Sequence, residues 1–210
     1  MNPPVPTSPV PRVAVTGPTA AGKSRFCGRL AERGAEVLDA DRIAHGVLDA
    51  PAVQPAVVAA FGEDILGPDG RIDRGVLGPR VFAARARREE LDRIVHPPLA
   101  AACSALLDAA AAMGPPLVVL EAAVYFRLPG PPPVDITVTV TAPPEARQAR
   151  LVSAGLDPTR AQARMAAQAH LEPLWRRADR IIENRGTEAE LIAAADHLWR
   201  ELVAPTSPEG

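Results

Sequence analysis

The sequence predicts an α/β protein built on a parallel β-sheet with helices on its faces. Five short apolar runs alternate with longer stretches of helical periodicity, which is typical of parallel strands joined by helices. The first run leads into a glycine-containing turn, and the second and third end in the acidic residues Asp39 and Glu121. Because the carboxyl ends of parallel strands share one edge of the sheet, we expect the ligand at that edge.

The turn after the first strand, Gly17–Ser24, fits the phosphate-binding P-loop pattern G-x-x-x-x-G-K-[ST]. It lies between the apolar run Val13–Val15 and a predicted helix over 25–33, so backbone N–H groups and a helix N-terminus converge on one anion site. We expect Lys23, the only lysine of the chain, to reach the β- and γ-phosphates of a nucleotide, and Ser24 to ligate Mg²⁺. The other residues predicted to contact ATP in and beside the loop are Gly17, Thr19, Ala20, Ala21, Gly22 and Arg25.

The part of the chain between the second and third strands reads as helical. The second strand covers 36–39 and is followed by a helix over 41–48. Further helices are predicted over 51–61, 76–84 and 86–113, the last as one or two helices because Pro97 and Pro98 disfavour a straight run. Since no strand pattern occurs over about 51–113, we interpret this block as a helical insertion that binds an acceptor substrate.

The remaining elements complete the sheet. The third strand ends in Glu121, and an apolar run that ends in a carboxylate is the Walker-B pattern, which holds Mg²⁺. The fourth and fifth strands are predicted over 135–141 and 179–184. Between them, two helices with a short break carry several arginines, and we interpret about 147–170 as a lid over the nucleotide phosphates. Thr187 and Glu190 form a predicted capping box for a last helix that ends near 203.

Composition limits the classes of function. The 210 residues suffice for one α/β domain over 12–203, with a disordered tail at 1–11 and another tail at 204–210. A net charge of −2 gives no general attraction to nucleic acid or to a membrane surface. Two cysteines indicate a reduced, cytoplasmic protein, and the N-terminus lacks the apolar region of a signal peptide. The apolar region 99–126 is interrupted by Asp108 and Glu121, so we expect no membrane span. We also expect a monomer or weak homo-oligomer.

Several motifs, taken in their order around the P-loop, resemble the dephospho-CoA kinase family over roughly 12–203. The segments that carry the resemblance are Asp39–His45, Gly70–Arg74 with Val81–Phe82, His96–Pro97, and Ala178–Gly186. The resemblance implies a P-loop kinase fold with a five-stranded parallel core, a helical acceptor-binding insertion and a lid. It also implies ATP and dephospho-CoA as substrates, with transfer of the γ-phosphoryl group to the ribose 3′-hydroxyl.

The resemblance assigns roles to individual residues. Asp41 would orient or deprotonate the acceptor hydroxyl, while Lys23 and Arg150 would stabilise the transferring phosphoryl group. Ser24 and Glu121 would hold Mg²⁺, and Asn184 would lie near the adenine. The residues that would line the acceptor side are Asp39, Arg42 and His96.

Two departures from the family pattern leave alternatives open. Arg127 stands where the family has a glutamate, and Ala154 stands where the family lid has a second arginine. The candidates to replace that arginine are Arg147, Arg160 and Arg127. The amino-acid sequence of the P-loop also resembles that of tRNA prenyltransferases, although the later motifs of this chain do not resemble theirs. The alternatives are therefore an active dephospho-CoA kinase, a catalytically weakened homologue that binds nucleotide or CoA, and a P-loop kinase with another small-molecule acceptor.

Overall fold

A computed structural model describes residues 9–203, apart from the side chain of Phe82. The predicted tail at 204–210, and all but the last three residues of the predicted tail at 1–11, lie outside this range. At its start, the Pro11 carbonyl accepts a hydrogen bond from the Val118 N–H at 3.0 Å, so the chain joins the sheet before the first strand begins.

Five parallel strands form one sheet in the described chain, in the order β2-β3-β1-β4-β5. The strands are β1 (Arg12–Thr16), β2 (Glu36–Asp39), β3 (Val118–Glu121), β4 (Ile136–Thr141) and β5 (Arg180–Glu183). The central strands are buried on both faces, as the continuous apolar runs of the sequence predict. The predicted α/β class and five-stranded parallel sheet are confirmed.

The helices lie between and after the strands. They are α1 (Lys23–Glu32), α2 (Ala40–Leu48), α3 (Gln54–Phe61), α4 (Arg74–Phe82), α5 (Arg85–Ala112), α6 (Pro144–Ser153), α7 (Pro158–Ala166), α8 (Glu172–Trp175) and α9 (Glu188–Val203). Short 3₁₀ turns occur at Glu63–Ile65, Tyr125–Arg127 and Ala169–Leu171. The predicted capping box of α9 is confirmed, because the Thr187 N–H donates to Glu190 Oε2 at 2.6 Å and the Glu190 N–H donates to Thr187 Oγ1 at 3.4 Å.

The main core lies between the sheet and the pair of helices α1 and α9. Phe26 and Leu30 of α1 are fully buried against strand side chains, and α9 contributes Leu191 and Leu198. Burial of this many aliphatic side chains on one face is the main stabilising contribution to this part of the chain. The core therefore fixes α1, and with it the P-loop that precedes α1.

Helix α5 corrects the expectation of an interruption at the two prolines. It runs without a break through Pro97 and Pro98, although each proline removes one intrahelical hydrogen bond. Val95, Leu99 and Cys103 follow one another at a spacing of four residues and are all buried, so a continuous apolar stripe passes the prolines. Packing of this stripe outweighs the lost hydrogen bonds. The rule that proline interrupts a helix takes no account of such packing.

By length and composition alone, α5 is the one helix of the described residues that could cross a membrane. This is weak evidence, since the core helix of a soluble protein passes the same test, and part of its apolar stretch is buried. The expectation that the chain has no membrane span remains a prediction.

The chain divides into two compact units. The smaller unit comprises Ala40–Ala105 and Arg127–Pro132 and contains α2, α3, α4 and most of α5. The larger unit contains the sheet, the P-loop and the helices α6 to α9. The prediction of a single kinase domain with a helical insertion is not tested by this division and stays a prediction.

Candidate functional site

The P-loop has the backbone geometry that only glycine allows at two positions. Gly17 and Gly22 have φ angles of 128° and 107°, in the region that other residues rarely adopt. A Cβ on Gly17 would lie 2.1 Å from the Val140 carbonyl oxygen, and a Cβ on Gly22 would lie 2.6 Å from Asn184 Nδ2. The two glycines are therefore required both by the turn and by the close approach of its neighbours.

Helix α1 begins directly after this turn, with Gly22 as its N-cap. Within the described chain no side chain caps this end and its first turn carries no acidic residue, so its backbone N–H groups and positive dipole end suit an anion. Lys23 Nζ donates a hydrogen bond of 3.0 Å to the Pro18 carbonyl, so the ammonium lies over the loop. Backbone donors and the lysine together form a phosphate-binding cradle.

Two oxygen donors meet beside this cradle. Ser24 Oγ donates to Glu121 Oε1 at 2.8 Å. Strand pairing explains the approach, because Glu121 lies opposite Val15 of β1 on one side and opposite Asp39 of β2 on the other. The carboxyl ends of three strands thus place a hydroxyl and a carboxylate at the edge where the sequence predicts the metal.

The predicted lid contacts the P-loop through two arginines and one glutamine. Arg150 Nη1 donates to the carbonyls of Ala20 and Ala21, at 3.1 and 3.2 Å. Arg147 Nε donates to the Thr19 carbonyl at 2.9 Å. The Thr19 N–H in turn donates to Gln168 Oε1 at 2.8 Å. Sequence reasoning singled out Arg150, gave Arg147 only as one of three possible substitutes, and missed Gln168, because no local pattern marks a glutamine just beyond a helix end.

Asn184 and Arg25 hold the surroundings of the loop. The Asn184 side chain is buried, and its Nδ2 donates to the Ala21 carbonyl at 2.8 Å. Its amide therefore braces the P-loop directly, and its predicted place near the adenine stays a prediction. The Arg25 side chain forms ion pairs with Glu32 and with Glu188 at the start of α9, and its predicted contact with ATP stays a prediction.

A cavity of about 390 Å³ opens next to the P-loop in the larger unit. Its wall includes Pro18 of the loop, Arg147 of α6 and the carboxyl-terminal ends of β4 and β5. Ile181 of β5, half exposed, and the buried Trp175 give it an apolar part. Its charged part holds both signs, because Arg176 pairs with Glu172 and Arg185 pairs with Glu183. Its size and its mixed apolar and charged lining suit a nucleotide.

Comparison with known proteins identifies the family. The family model for dephospho-CoA kinase matches residues 12–190. The chain belongs to the dephospho-CoA kinase family. The dephospho-CoA kinase of Symbiobacterium thermophilum is 39% identical over 190 residues, which cover 90% of this chain and 80% of that protein. Family members are kinases that phosphorylate dephospho-CoA to give coenzyme A, and the predicted family is confirmed.

Solved structures agree on the fold of this dephospho-CoA kinase family member. The crystal structure of TT1252 from Thermus thermophilus matches with a TM-score of 0.72 and 29% identity, over 92% of this chain and 98% of that one. The dephospho-CoA kinase from Campylobacter jejuni matches with a TM-score of 0.60 and 24% identity, over 91% of this chain and 97% of that one. Because the Campylobacter jejuni enzyme is only 24% identical, its similarity supports the fold alone.

The acceptor-side residues that the family resemblance implies fall in both compact units. Asp39 ends β2 in the larger unit and is exposed. Asp41 and Arg42 lie in the first turn of α2 in the smaller unit, and both are exposed. His96 also belongs to the smaller unit but is 8% exposed. The smaller unit thus holds three of the four predicted acceptor-side residues: Asp41, Arg42 and His96.

His96 is one member of a charged cluster that the sequence did not predict. Asp92 accepts from His96 Nε2 at 3.2 Å and from Arg127 Nη2 at 2.5 Å. Although burial opposes it, the hydrogen bond from His96 and the Arg127 guanidinium hold the pKa of Asp92 below its usual range. A cavity of about 510 Å³ opens at this cluster, lined also by Glu89 and Arg93. Arg127, the departure from the family glutamate, is thus neutralised by Asp92 rather than left as an isolated positive charge.

Proposed function

We propose that this chain transfers the γ-phosphoryl group of ATP to the ribose 3′-hydroxyl of dephospho-CoA. The observation that carries the proposal is a P-loop with its lysine, a hydroxyl–carboxylate pair and two lid arginines, in a chain that belongs to this family. In the reaction the 3′-oxygen forms a bond to the γ-phosphorus, the bond to the β–γ bridging oxygen breaks, and ADP leaves with its electron pair. The acceptor proton leaves the 3′-hydroxyl.

Mg²⁺ fits the donors that the chain offers. Ser24 Oγ and Glu121 Oε1, 2.8 Å apart, are hard oxygen donors of the kind that Mg²⁺ prefers, and they would hold the ion together with the substrate phosphates. No group of three or more His, Cys, Asp or Glu side chains that could hold a metal occurs in residues 9–203. A magnesium ion bound mainly by substrate phosphates needs only one or two protein ligands. When bound, it would neutralise charge on the β- and γ-phosphates.

Positioning and charge neutralisation supply most of the catalysis in phosphoryl transfer. Lys23 binds the phosphates in the cradle, and Arg150 stabilises charge on the transferring group. Both side chains already lie on the loop, at carbonyls of Pro18, Ala20 and Ala21. ATP phosphates would compete with these carbonyls for the same donors.

On the acceptor side, the proposal assigns the 3′-hydroxyl to Asp41, which orients it and accepts its proton. Asp39, Arg42 and His96 bind the remainder of dephospho-CoA. His96 supports such a role because it is held by Asp92 at the wall of a cavity large enough for part of a substrate. These assignments rest on the family resemblance together with the positions of the residues in β2, α2 and α5.

A second candidate is a catalytically weakened homologue that binds nucleotide or CoA. The observation that favours it is Ala154, which ends α6 without the second arginine of the family lid. Against it stands Arg147, which brings another guanidinium to the P-loop from the same helix. A P-loop kinase for another small acceptor is the third candidate, and only an acceptor comparison separates it from the first.

The remaining expectations are part of the same proposal. ATP and dephospho-CoA are the partners, the chain acts in the cytoplasm without nucleic acid or membrane, and it is a monomer or weak homo-oligomer. The small net charge of −2 supports the expectation that the chain does not bind nucleic acid.

An acceptor panel tests the proposal. Purified protein with ATP and Mg²⁺ is given dephospho-CoA, adenosine, other nucleosides or shikimate, and formation of ADP and of phosphorylated product is measured. We expect coenzyme A to form at least about a hundredfold faster than any other product, because a site that hydrogen-bonds its substrate rejects analogues strongly. Faster phosphorylation of another acceptor would assign a different kinase activity, and nucleotide binding without turnover would favour the weakened homologue.

A further inference from the structure

Arg147 lies between the P-loop and the cavity beside it. Its Nε donates to the Thr19 carbonyl at 2.9 Å, and its side chain forms part of the cavity wall together with Pro18. Arg147 is in the second turn of α6, whose core-facing Leu151 is buried. The position of the guanidinium is thus set by the helix and by the loop.

The guanidinium keeps donors for a ligand. Arginine has five N–H donors, and only the Nε of Arg147 makes a hydrogen bond to the described part of the chain. Burial lowers the pKa of Arg147, against the influence of the Glu172 carboxylate, so the cation is poorly solvated where it lies. A phosphate would add negative charge beside the guanidinium and accept two parallel hydrogen bonds.

The other candidate arginines are placed differently. Arg127 is engaged by Asp92 within the smaller unit, and Arg160 is exposed in the first turn of α7. Within the larger unit, residues 9–203 show no hydrogen bond between the Arg160 side chain and the P-loop, whereas Arg147 makes one to Thr19.

We propose that Arg147 is a second phosphate-binding residue of the nucleotide site, acting beside Arg150. It binds the β- and γ-phosphates of ATP from the Thr19 side of the P-loop, while Arg150 acts from the side of Ala20 and Ala21. The proposal deepens the proposed function in that it takes ATP as the ligand. It does not depend on the identity of the acceptor.

Binding of a nucleotide series tests this role without turnover. Dissociation constants for AMP, ADP and ATP are measured by calorimetry, in the presence of Mg²⁺, for the parent chain, Arg147→Ala and Arg147→Lys. The matched control is Arg200→Ala, which removes the same charge from an exposed position in the last turn of α9. A thermal unfolding midpoint for each variant establishes that it is folded.

We expect Arg147→Ala to weaken ATP binding by about tenfold or more and AMP binding by less than about threefold, with ADP between them, since a charge-assisted hydrogen bond contributes on this scale. Arg147→Lys should recover only part of the ATP affinity, because it keeps the charge but not the two parallel donors, and Arg200→Ala should bind like the parent. Equal loss for AMP and ATP would assign Arg147 to the base or ribose and overturn the proposal. A loss of ATP affinity in Arg147→Ala no larger than that in Arg200→Ala would overturn it as well.

The test is separable from the proposed function. If dephospho-CoA is not phosphorylated but Arg147→Ala shows the graded loss across AMP, ADP and ATP, the acceptor assignment fails and the role of Arg147 stands. If coenzyme A forms but the dissociation constants for AMP, ADP and ATP are unchanged in Arg147→Ala, the acceptor assignment stands and the role of Arg147 fails.

Discussion

At the scale of single residues, the nucleotide site depends on backbone groups that other side chains hold in place. The Ala21 carbonyl accepts hydrogen bonds from both Asn184 and Arg150, one from a buried amide and one from a guanidinium. Ala20 has a φ of 58°, in the left-handed region that is costly for a residue with a Cβ. These bracing contacts compensate for that cost and keep the loop open for phosphates.

Asp41 gives a residue-scale prediction for the acceptor side. Asp41→Asn should lower kcat with dephospho-CoA by about 10²–10⁴-fold, the usual contribution of a general base, and leave ATP binding unchanged. Steady-state kinetics and ATP calorimetry measure the two effects. The control is Glu36→Gln, an exposed carboxylate at the opposite end of β2, which should match the parent. A fall in kcat of less than about tenfold would assign the proton to another residue.

Tyr125, the only tyrosine, gives a pH prediction. Burial, with a smaller effect of the Asp179 carboxylate, raises the pKa of Tyr125 to about 12. The folded chain therefore keeps the proton that the unfolded chain loses near pH 10, so this contribution to stability is complete below about pH 10 and is lost as the pH rises toward 12. Tyrosinate absorbance should titrate near 12 in the native protein and near 10 in denaturant. A native midpoint near the denatured value would show that the phenol is solvated.

At the scale of secondary-structure elements, local patterns predict what is locally determined. The P-loop, the five strands and the capping box of α9 each follow from adjacent residues, and each is present. The continuity of α5 could not be predicted this way, because it depends on the burial of Val95, Leu99 and Cys103. The contacts of Arg147 and Gln168 with Thr19 depend equally on tertiary structure, since more than 120 residues separate the partners along the chain.

The prolines of α5 give an element-scale prediction. Pro98→Ala restores an N–H for the hydrogen bond to the Ile94 carbonyl, and should raise the free energy of unfolding by about 1–2 kcal/mol after the greater freedom of the unfolded chain is subtracted. Urea denaturation measures the change. Pro158→Ala is the matched control, because Pro158 occupies the first turn of α7, where proline is well tolerated, and its replacement should not stabilise. If Pro98→Ala and Pro158→Ala changed the free energy of unfolding equally, the N–H restored at position 98 would not stabilise α5.

At the scale of the whole molecule, the predicted functions fall in two compact units. The P-loop, Glu121, Arg147 and Arg150 belong to the larger unit, and the Asp92 cluster belongs to the smaller one. The helical insertion predicted over about 51–113 stays a prediction, while the smaller unit begins at Ala40 and also takes in Arg127–Pro132, which no local pattern marks. Family membership adds the reaction, which no strand or helix pattern contains.

The most direct test is the rate at which the purified chain converts dephospho-CoA to coenzyme A with ATP and Mg²⁺, compared with the same rate for Lys23→Ala. We expect sustained turnover by the parent and a loss of at least about a hundredfold in the variant, because the ammonium stabilises charge on the transferring phosphoryl group. Lys23→Arg should also be impaired, since a planar fork does not replace a compact ammonium in the loop. Both variants should keep the unfolding midpoint of the parent. Coenzyme A formation at the parental rate by Lys23→Ala, or none by a folded parent that binds ATP, would contradict the proposed kinase.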